Sequence, residues 1–118
     1  MAAAMGIYAP GIAAQTTARA APKPTKAAVI LVLGDSLSAE YGLPRGSGWV
    51  ALLEKQLAAD KISASVVNAS VSGETTSGGR SRIAALLQQH QPSHVVIELG
   101  GNDALRGLPL QNTQDNLT

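Results

Sequence analysis

Three short polar segments of the chain carry the residue types that acyl transfer requires. The Ser36 hydroxyl can attack a carbonyl carbon. The backbone N–H groups of Ser36 and Gly73 and the side-chain amide of Asn102 can donate to the oxyanion that then forms. Glycine lets the backbone approach a substrate closely, and an asparagine amide donates without carrying charge. Gly-Asp-Ser triplets also occur in ordinary turns, so the chemistry depends on whether the three segments meet.

Each of these segments follows a predicted β-strand. The uninterrupted apolar run at 27–33 is typical of a strand buried on both faces of a parallel sheet, and Gly34 allows a sharp turn at its end. Predicted strands at 65–68 and 94–99 precede the other two segments. The carboxyl ends of parallel strands share one edge of the sheet, where open α/β proteins bind ligands. We therefore expect the three segments to lie close together.

Two predicted helices connect these strands. The first covers 48–60 after an N-cap at Ser47, and the second begins after an N-cap at Ser77 and ends at His90. Their core-facing residues are expected to be Trp49, Leu52, Leu53, Leu57, Ile83, Leu86 and Leu87. A further unit begins near Pro109. This alternation predicts a parallel sheet with right-handed crossovers, and a crevice if strand order reverses between the first and third strands.

The composition excludes several classes of function. The 118 residues suffice for one small domain, and a net charge of +1 without a basic cluster argues against a nucleic-acid partner. The absence of cysteine excludes thiol nucleophiles, thiolate metal sites and disulfides. Because no apolar run approaches the ~20 residues of a spanning helix, we expect no stable membrane insertion. Nothing in the sequence indicates the oligomeric state.

The chain divides into a leader at 1–26 and a domain portion at 27–118. The leader is rich in alanine, and its Ala18-Arg19-Ala20 matches the small-x-small pattern of signal peptidase sites. The leader is therefore either the remnant of a signal peptide followed by a linker at 22–26 or a disordered tail. The first alternative predicts a periplasmic or secreted protein, and the second leaves a cytoplasmic location open. The chain stops inside a predicted helix, which suggests a sequence cut within its domain.

The three segments together resemble the SGNH (GDSL-type) hydrolase family, and above all its bacterial thioesterases, lysophospholipases and arylesterases. The matching blocks read GDSLS at 34–38, NASVSGET at 68–75 and ELGGND at 98–103. The resemblance implies a three-layer α/β/α sandwich with a flavodoxin-like parallel sheet, whose carboxyl-terminal part this chain lacks. It also implies hydrolysis of small-molecule acyl esters or thioesters through a seryl acyl-enzyme, with no metal or cofactor and frequent export to the periplasm. By the family pattern, Ser36 would be the nucleophile, with Gly73 and Asn102 as oxyanion donors.

The general base that a serine nucleophile needs is missing from this pattern. The Asp-x-x-His block of the family is absent, and the chain has only His90 and His94. His94 begins a strand whose other end is the catalytic edge, about 17 Å away at ~3.3 Å per residue, and His90 lies on the same far side. Asp35 and Asp103 are near the site, in turn-forming and loop-bracing roles. The missing strands would also leave the edge of the third strand open and apolar. We therefore expect a chain that is poorly folded and inactive alone.

One glycine motif suggests a different function, and the role of Glu98 is not explained by the resemblance. GSGWVA at 46–51 matches a dinucleotide-binding fingerprint, but such a fingerprint must directly follow a strand, and the first strand ends well upstream. Glu98 lies in a predicted buried strand, where its carboxylate needs a polar partner that the sequence does not identify. Trp49 is interpreted as a core residue rather than a ligand contact.

Overall fold

A parallel sheet of three strands, β1 to β3, organises the residues that the structure, a computed structural model, describes, namely 27–118. The expectations for the leader at 1–26 lie outside the described residues. The strands are β1 (Ala28–Gly34), β2 (Ala64–Asn68) and β3 (His94–Glu98). The helices are α1 (Trp49–Ala59), α2 (Thr76–His90), α3 (Gly101–Leu105) and α4 (Leu110–Leu117).

The strand order is β2-β1-β3, with β1 paired in parallel to both neighbours. The chain first moves from β1 to one side and then crosses back to the other, so strand order reverses at β1. Right-handed crossovers in opposite directions place α1 and α2 on opposite faces of the sheet. The α/β fold class and the flavodoxin-like arrangement predicted from the sequence are thereby confirmed, and the crevice is expected between the ends of β1 and β3.

The core is centred on β1. Leu31, Val32 and Leu33 are at most 1% exposed, and since consecutive strand residues point to opposite faces, both faces of β1 are covered. Helix α2 approaches so closely at Gly79 that a Cβ atom there would collide with the Leu99 side chain. The expectation of a central, doubly buried first strand is correct.

Helix α1 buries a face that only partly matches the predicted one. Val50 is its buried residue, and Leu53 and Leu57 are half-buried, whereas Leu52 is exposed. Trp49 is 38% exposed, so its interpretation as a core residue is wrong. The Trp49 side chain is turned toward the end of β1, where its indole N–H donates to the Ser38 hydroxyl at 2.9 Å. The buried face of α1 is therefore rotated relative to the predicted face. On α2, Leu87 is also exposed at 40%.

Neither predicted N-cap is the observed one. Helix α1 has Gly48 as its N-cap without a side-chain bond, and the Ser47 hydroxyl instead donates to the Pro44 carbonyl at 2.6 Å. Helix α2 begins two residues earlier than expected, and the Thr75 hydroxyl accepts from Gly78 N at 3.3 Å. A cap requires extended backbone immediately before the first turn, and Thr75 has that geometry (φ −106°, ψ 171°).

Strand β3 forms an open edge, as predicted from the sequence. Within residues 27–118 it pairs only with β1, and Val95, Val96 and Ile97 are 38–47% exposed. An unpaired apolar edge is a ready template for association with another strand. Within residues 27–118, no helix is long and apolar enough to cross a membrane.

Candidate active site

The turn after β1 holds Ser36 in a half-exposed position, with its hydroxyl and its backbone N–H free of hydrogen bonds to residues 27–118. The Asp35 carbonyl accepts from Ser38 N at 3.1 Å and from Ala39 N at 2.9 Å, and the Asp35 carboxylate accepts from Leu37 N at 2.9 Å. Within residues 27–118, neither the Ser36 hydroxyl nor its backbone N–H has a hydrogen-bond partner. The turn is therefore fixed by its neighbours, while the groups that could attack a carbonyl and bind an oxyanion remain available.

A cluster of polar side chains from β3, α1 and β2 stabilises this turn. The Glu98 carboxylate accepts from the Ser38 hydroxyl at 2.7 Å and from Asp35 N at 3.3 Å. The Ser38 hydroxyl in turn accepts from the Trp49 indole N–H at 2.9 Å, and the Asn68 amide donates to the Ser38 carbonyl at 2.8 Å. Ser38, which is only 1% exposed, thus connects β3, α1 and β2 to the nucleophile turn.

The second segment places Gly73 in a conformation that favours glycine. Its φ is +82°, in the left-handed region, and its carbonyl accepts from the Arg106 guanidinium at 3.0 Å. Its backbone N–H has no partner within the described range 27–118. The segment is joined to the first turn because the Ser70 hydroxyl accepts from Gly34 N at 3.0 Å. Gly73 therefore has the conformation and the unpaired donor that an oxyanion contact needs.

Asn102 connects the other two segments. It lies in the first turn of α3, a short helix where the sequence predicted a loop. Its side-chain amide donates to the Glu74 carbonyl at 2.9 Å and lies 3.5 Å from the Asp35 carboxylate. These contacts join the residue before Ser36 to the residue after Gly73, so the three segments meet at the carboxyl edge of the sheet. One amide hydrogen is donated to the Glu74 carbonyl, and the other faces the carboxylate of Asp35, the residue before Ser36.

The two histidines lie at the opposite edge of the sheet. His94 is opposite Ile30 in the register, whereas the catalytic edge is marked by Gly34 opposite Glu98. His90 ends α2, and both histidines line a cavity of about 530 Å³ beside Val29 and Ser93. The Ser93 hydroxyl lies 2.9 Å from His94 Nδ1. Neither imidazole reaches Ser36, as the sequence predicted. No cluster of three or more His, Asp or Glu side chains suited to a metal ion exists within 27–118.

Comparison with known proteins identifies the family. The profile of the GDSL-like Lipase/Acylhydrolase family matches residues 32–118, which contain all three polar segments. The chain belongs to this family. The resemblance to GDSL-type hydrolases predicted from the sequence is therefore confirmed.

Relatives of this GDSL chain include named esterases. It is 54% identical over 91 residues to esterase TesA of Pseudomonas aeruginosa, and this match covers 77% of the chain and 45% of the relative. It is 50% identical over 88 residues to the thioesterase 1/protease 1/lysophospholipase L1 of Escherichia coli, covering 75% and 41%. The GDSL chain thus spans less than half the length of these relatives.

Solved GDSL structures share the fold described above. The crystal structure of TesA superposes with a TM-score of 0.74 at 54% identity and covers 75% of this chain and 49% of that one. Esterase EstA from Pseudoalteromonas sp., in a structure inhibited by monoethylphosphonate, gives a TM-score of 0.72 at 52% identity, covering 75% and 49%. The predicted fold class is confirmed by these neighbours as well.

In this GDSL chain, the buried Asp103 side chain stabilises the helix that carries Asn102. At 1% exposure, its carboxylate accepts from Thr76 N at 2.8 Å, from the Thr76 hydroxyl, and from the Thr113 hydroxyl at 3.0 Å. Burial alone would raise the pKa of Asp103, but the hydrogen bonds from Thr76 and Thr113 outweigh burial and hold this pKa below its ordinary value. The ionised carboxylate therefore ties α2 and α4 to α3, which carries Asn102.

Asp103→Asn should destabilise the protein most at neutral pH. The substitution places an amide NH₂ where one carboxylate oxygen accepts two hydroxyl groups, and disrupting a buried hydrogen-bond pair costs roughly 1–3 kcal/mol. Because the folded-state pKa is lowered, the stabilisation is fully present above the unfolded-state pKa and is lost as pH falls through the folded-state value. Urea unfolding should show a midpoint about 1 M lower near pH 7, with the difference shrinking near pH 3. Exposed Asp60→Asn is the control, and a difference from the parent that does not change with pH would contradict the assignment.

Sequence reasoning missed the role of Glu40 in this GDSL fold. Its backbone is left-handed (φ +61°), and its carboxylate accepts from Gly48 N at 2.8 Å and from Gly46 N at 2.9 Å. These backbone bonds, that from Gly48 first, lower the pKa of Glu40. The glycines of the 46–51 fingerprint thus bind a carboxylate of the chain itself, and β1 ends well before them. The dinucleotide-binding alternative lacks its structural context, and no local sequence pattern pairs Glu40 with these glycines.

Proposed function

We propose that this chain carries the nucleophile and the oxyanion donors of a serine hydrolase that cleaves small-molecule acyl esters and thioesters. The observation that carries the proposal is the position of the Asn102 amide, which donates to the Glu74 carbonyl at 2.9 Å and lies 3.5 Å from the Asp35 carboxylate. Asp35 and Glu74 adjoin Ser36 and Gly73, whose own N–H groups are unpaired within residues 27–118. Three N–H donors and one hydroxyl at a single sheet edge are the parts that acyl transfer requires. The relatives named esterase, thioesterase and arylesterase support the same assignment.

In this mechanism the Ser36 oxygen bonds to the carbonyl carbon of the substrate while its proton passes to a general base. The carbonyl oxygen becomes an oxyanion that accepts from Ser36 N, Gly73 N and the Asn102 amide. Collapse expels the protonated alcohol or thiol and leaves an ester on Ser36, and water then releases the carboxylic acid by the same steps. The described residues offer no imidazole near Ser36, so the base must come from outside residues 27–118.

The proposal is tested on a hybrid, in which residues 1–118 are continued by the carboxyl-terminal half of Pseudomonas aeruginosa esterase TesA. An alkyl fluorophosphonate should phosphonylate the hybrid once, by attack of the Ser36 oxygen on phosphorus with loss of fluoride. Peptide mass spectrometry should place the adduct on Ser36. Labelling elsewhere, or labelling of Ser36 without hydrolysis of p-nitrophenyl esters by the hybrid, would overturn the assignment.

The substrate range that we propose follows the names of the relatives. Aryl esters, acyl-CoA thioesters and lysophospholipids all present a carbonyl carbon bearing an alcohol or thiol leaving group. A panel of these substrates assayed with one preparation of the hybrid tests the range. The predictions of no nucleic-acid partner and no stable membrane insertion stay predictions.

A second candidate is a chain that cannot turn over substrate by itself. The position of both histidines at the far edge of the sheet favours it. In that case the 118-residue chain should bind no more than a stoichiometric amount of acyl group, while the hybrid turns over. Steady-state hydrolysis by the purified chain, abolished by Ser36→Ala, would contradict this candidate.

We also propose that the protein is exported. The support is the small-x-small motif at Ala18-Arg19-Ala20 and the polar stretch at 22–26. A periplasmic or secreted form whose amino terminus is Ala21 is the expected result of amino-terminal sequencing. Recovery of the protein with Met1 retained in the soluble cytoplasmic fraction would favour the cytoplasmic alternative instead.

A further inference from the structure

We infer that Glu98 is a positioning residue for the nucleophile, which acts through two hydrogen bonds to the turn that carries Ser36. The inference rests on the proposed function, because it concerns the reactivity of Ser36. It explains the carboxylate at the end of β3, whose polar partner could not be identified from the sequence.

The contacts of Glu98 bracket the nucleophile. Its Oε1 atom accepts from the N–H of Asp35, one residue before Ser36, at 3.3 Å, and from the hydroxyl of Ser38, two residues after it, at 2.7 Å. No hydrogen bond within residues 27–118 reaches the Ser36 side chain. The position of the nucleophile therefore depends on how firmly the turn is held on its two sides, and one carboxylate oxygen holds both.

Gly34 shows independently that this arrangement is tight. A Cβ atom built on Gly34 would lie 2.8 Å from Glu98 Oε1 and 2.6 Å from the Ser38 hydroxyl oxygen. Gly34 does not have a positive φ, so conformational freedom is not the reason for a glycine. The glycine is needed because the carboxylate and the serine hydroxyl occupy the space where a side chain would be.

The cluster also couples the turn to the rest of the fold. Because the Trp49 indole N–H can only donate, the Ser38 oxygen accepts it at 2.9 Å, and the Ser38 hydrogen is donated to Glu98. This donor-acceptor chain fixes the direction of each hydrogen bond. Without the carboxylate, the Ser38 hydroxyl and the Asp35 N–H would both lose their acceptor, and the turn could shift relative to Gly73 and Asn102.

The expected effect of losing Glu98 is on turnover rather than on binding. A displacement of about 1 Å in a catalytic group can cost roughly 10²-fold in rate. In the hybrid, Glu98→Ala should therefore lower kcat by about 10- to 100-fold while KM changes little, because the substrate contacts are not altered. Glu98→Gln keeps an oxygen acceptor for both donors and should remain within about 10-fold of the parent and well above Glu98→Ala.

The experiment measures kcat and KM of the hybrid on a p-nitrophenyl ester, with active sites counted by phosphonate titration. Counting sites separates a slower serine from a smaller folded fraction. Glu54→Ala, an exposed carboxylate on the outer side of α1, is the matched control and should leave kcat unchanged. If Glu98→Ala prevents folding, Ser38→Ala removes one of the two hydrogen bonds and should give an intermediate loss of kcat per titrated site.

The outcomes distinguish this inference from the proposed function. If kcat per titrated site in the Glu98→Ala form, or in the Ser38→Ala form where the former does not fold, stays within about 3-fold of the parent, or if Glu98→Gln is as impaired as Glu98→Ala, the positioning role is wrong. If the Ser36→Ala hybrid is as active as the parent, the proposed function is wrong and the effect of Glu98 cannot be on the nucleophile.

Discussion

Ser36→Ala should abolish ester hydrolysis by the hybrid of this chain with the carboxyl-terminal half of esterase TesA. Removing the nucleophile of a serine hydrolase lowers kcat on the order of 10⁶-fold, because the acyl-enzyme can no longer form. The substitution removes a hydroxyl that has no hydrogen-bond partner within residues 27–118, so the fold should be unaffected. Hydrolysis of p-nitrophenyl esters and the urea midpoint of the same preparation provide the two measurements.

The matched control for this change is Ser77→Ala. Ser77 is exposed in the first turn of α2, outside the three site segments at 34–38, 68–75 and 98–103. The control should keep the parent's kcat and react with fluorophosphonate at the parent's rate. Comparable activity in the Ser36→Ala and Ser77→Ala forms would show that another residue attacks the substrate.

Asn102→Ala should have the next largest effect on turnover. Loss of one oxyanion donor typically lowers kcat about 10²- to 10³-fold, since the donor stabilises charge that exists only in the transition state. KM should change much less. Fluorophosphonate labelling of Ser36 should also slow, because that reaction too develops negative charge on an oxygen bound to the attacked atom.

Asn102 also joins the Glu74 carbonyl to its own helix, and a second measurement separates this role from catalysis. Asn112→Ala, on the exposed side of α4, is the control for replacing an asparagine. A modest fall in the urea midpoint of Asn102→Ala with a large fall in kcat per titrated site supports the oxyanion role. A kcat per titrated site within about 3-fold of the parent would contradict it.

The sequence was most informative where local chemistry and topology coincide. The apolar run of β1 and the glycine-bearing segments after the strands predicted both the parallel sheet and the edge where Ser36, Gly73 and Asn102 meet. These predictions depend on backbone connectivity, since right-handed crossovers bring the carboxyl ends of parallel strands together. They require no knowledge of individual side-chain contacts.

The predictions that failed concern side chains whose partners are distant in sequence. Trp49 has an apolar ring at helical spacing, which predicts burial, but its N–H bonds to Ser38 eleven residues earlier. Glu98 was recognised as needing a partner, yet that partner lies 60 residues away, on another strand's turn. The open edge of β3 is not among these failures, because it follows from the further strands that the domain portion was expected to lack.

The Gly-Asp-Ser-Leu motif at 34–37, after which the family is named, ends one residue before Ser38, which has more contacts than Leu37. Leu37 is 71% exposed, whereas Ser38 is 1% exposed and bonded to Glu98 and Trp49 and, through its carbonyl, to Asn68. In a saturation library of the hybrid scored for esterase activity, position 37 should accept many residue types, polar ones included. Ser38 should accept almost none, because any larger side chain would displace both Glu98 and Trp49 from the contacts they make with its hydroxyl.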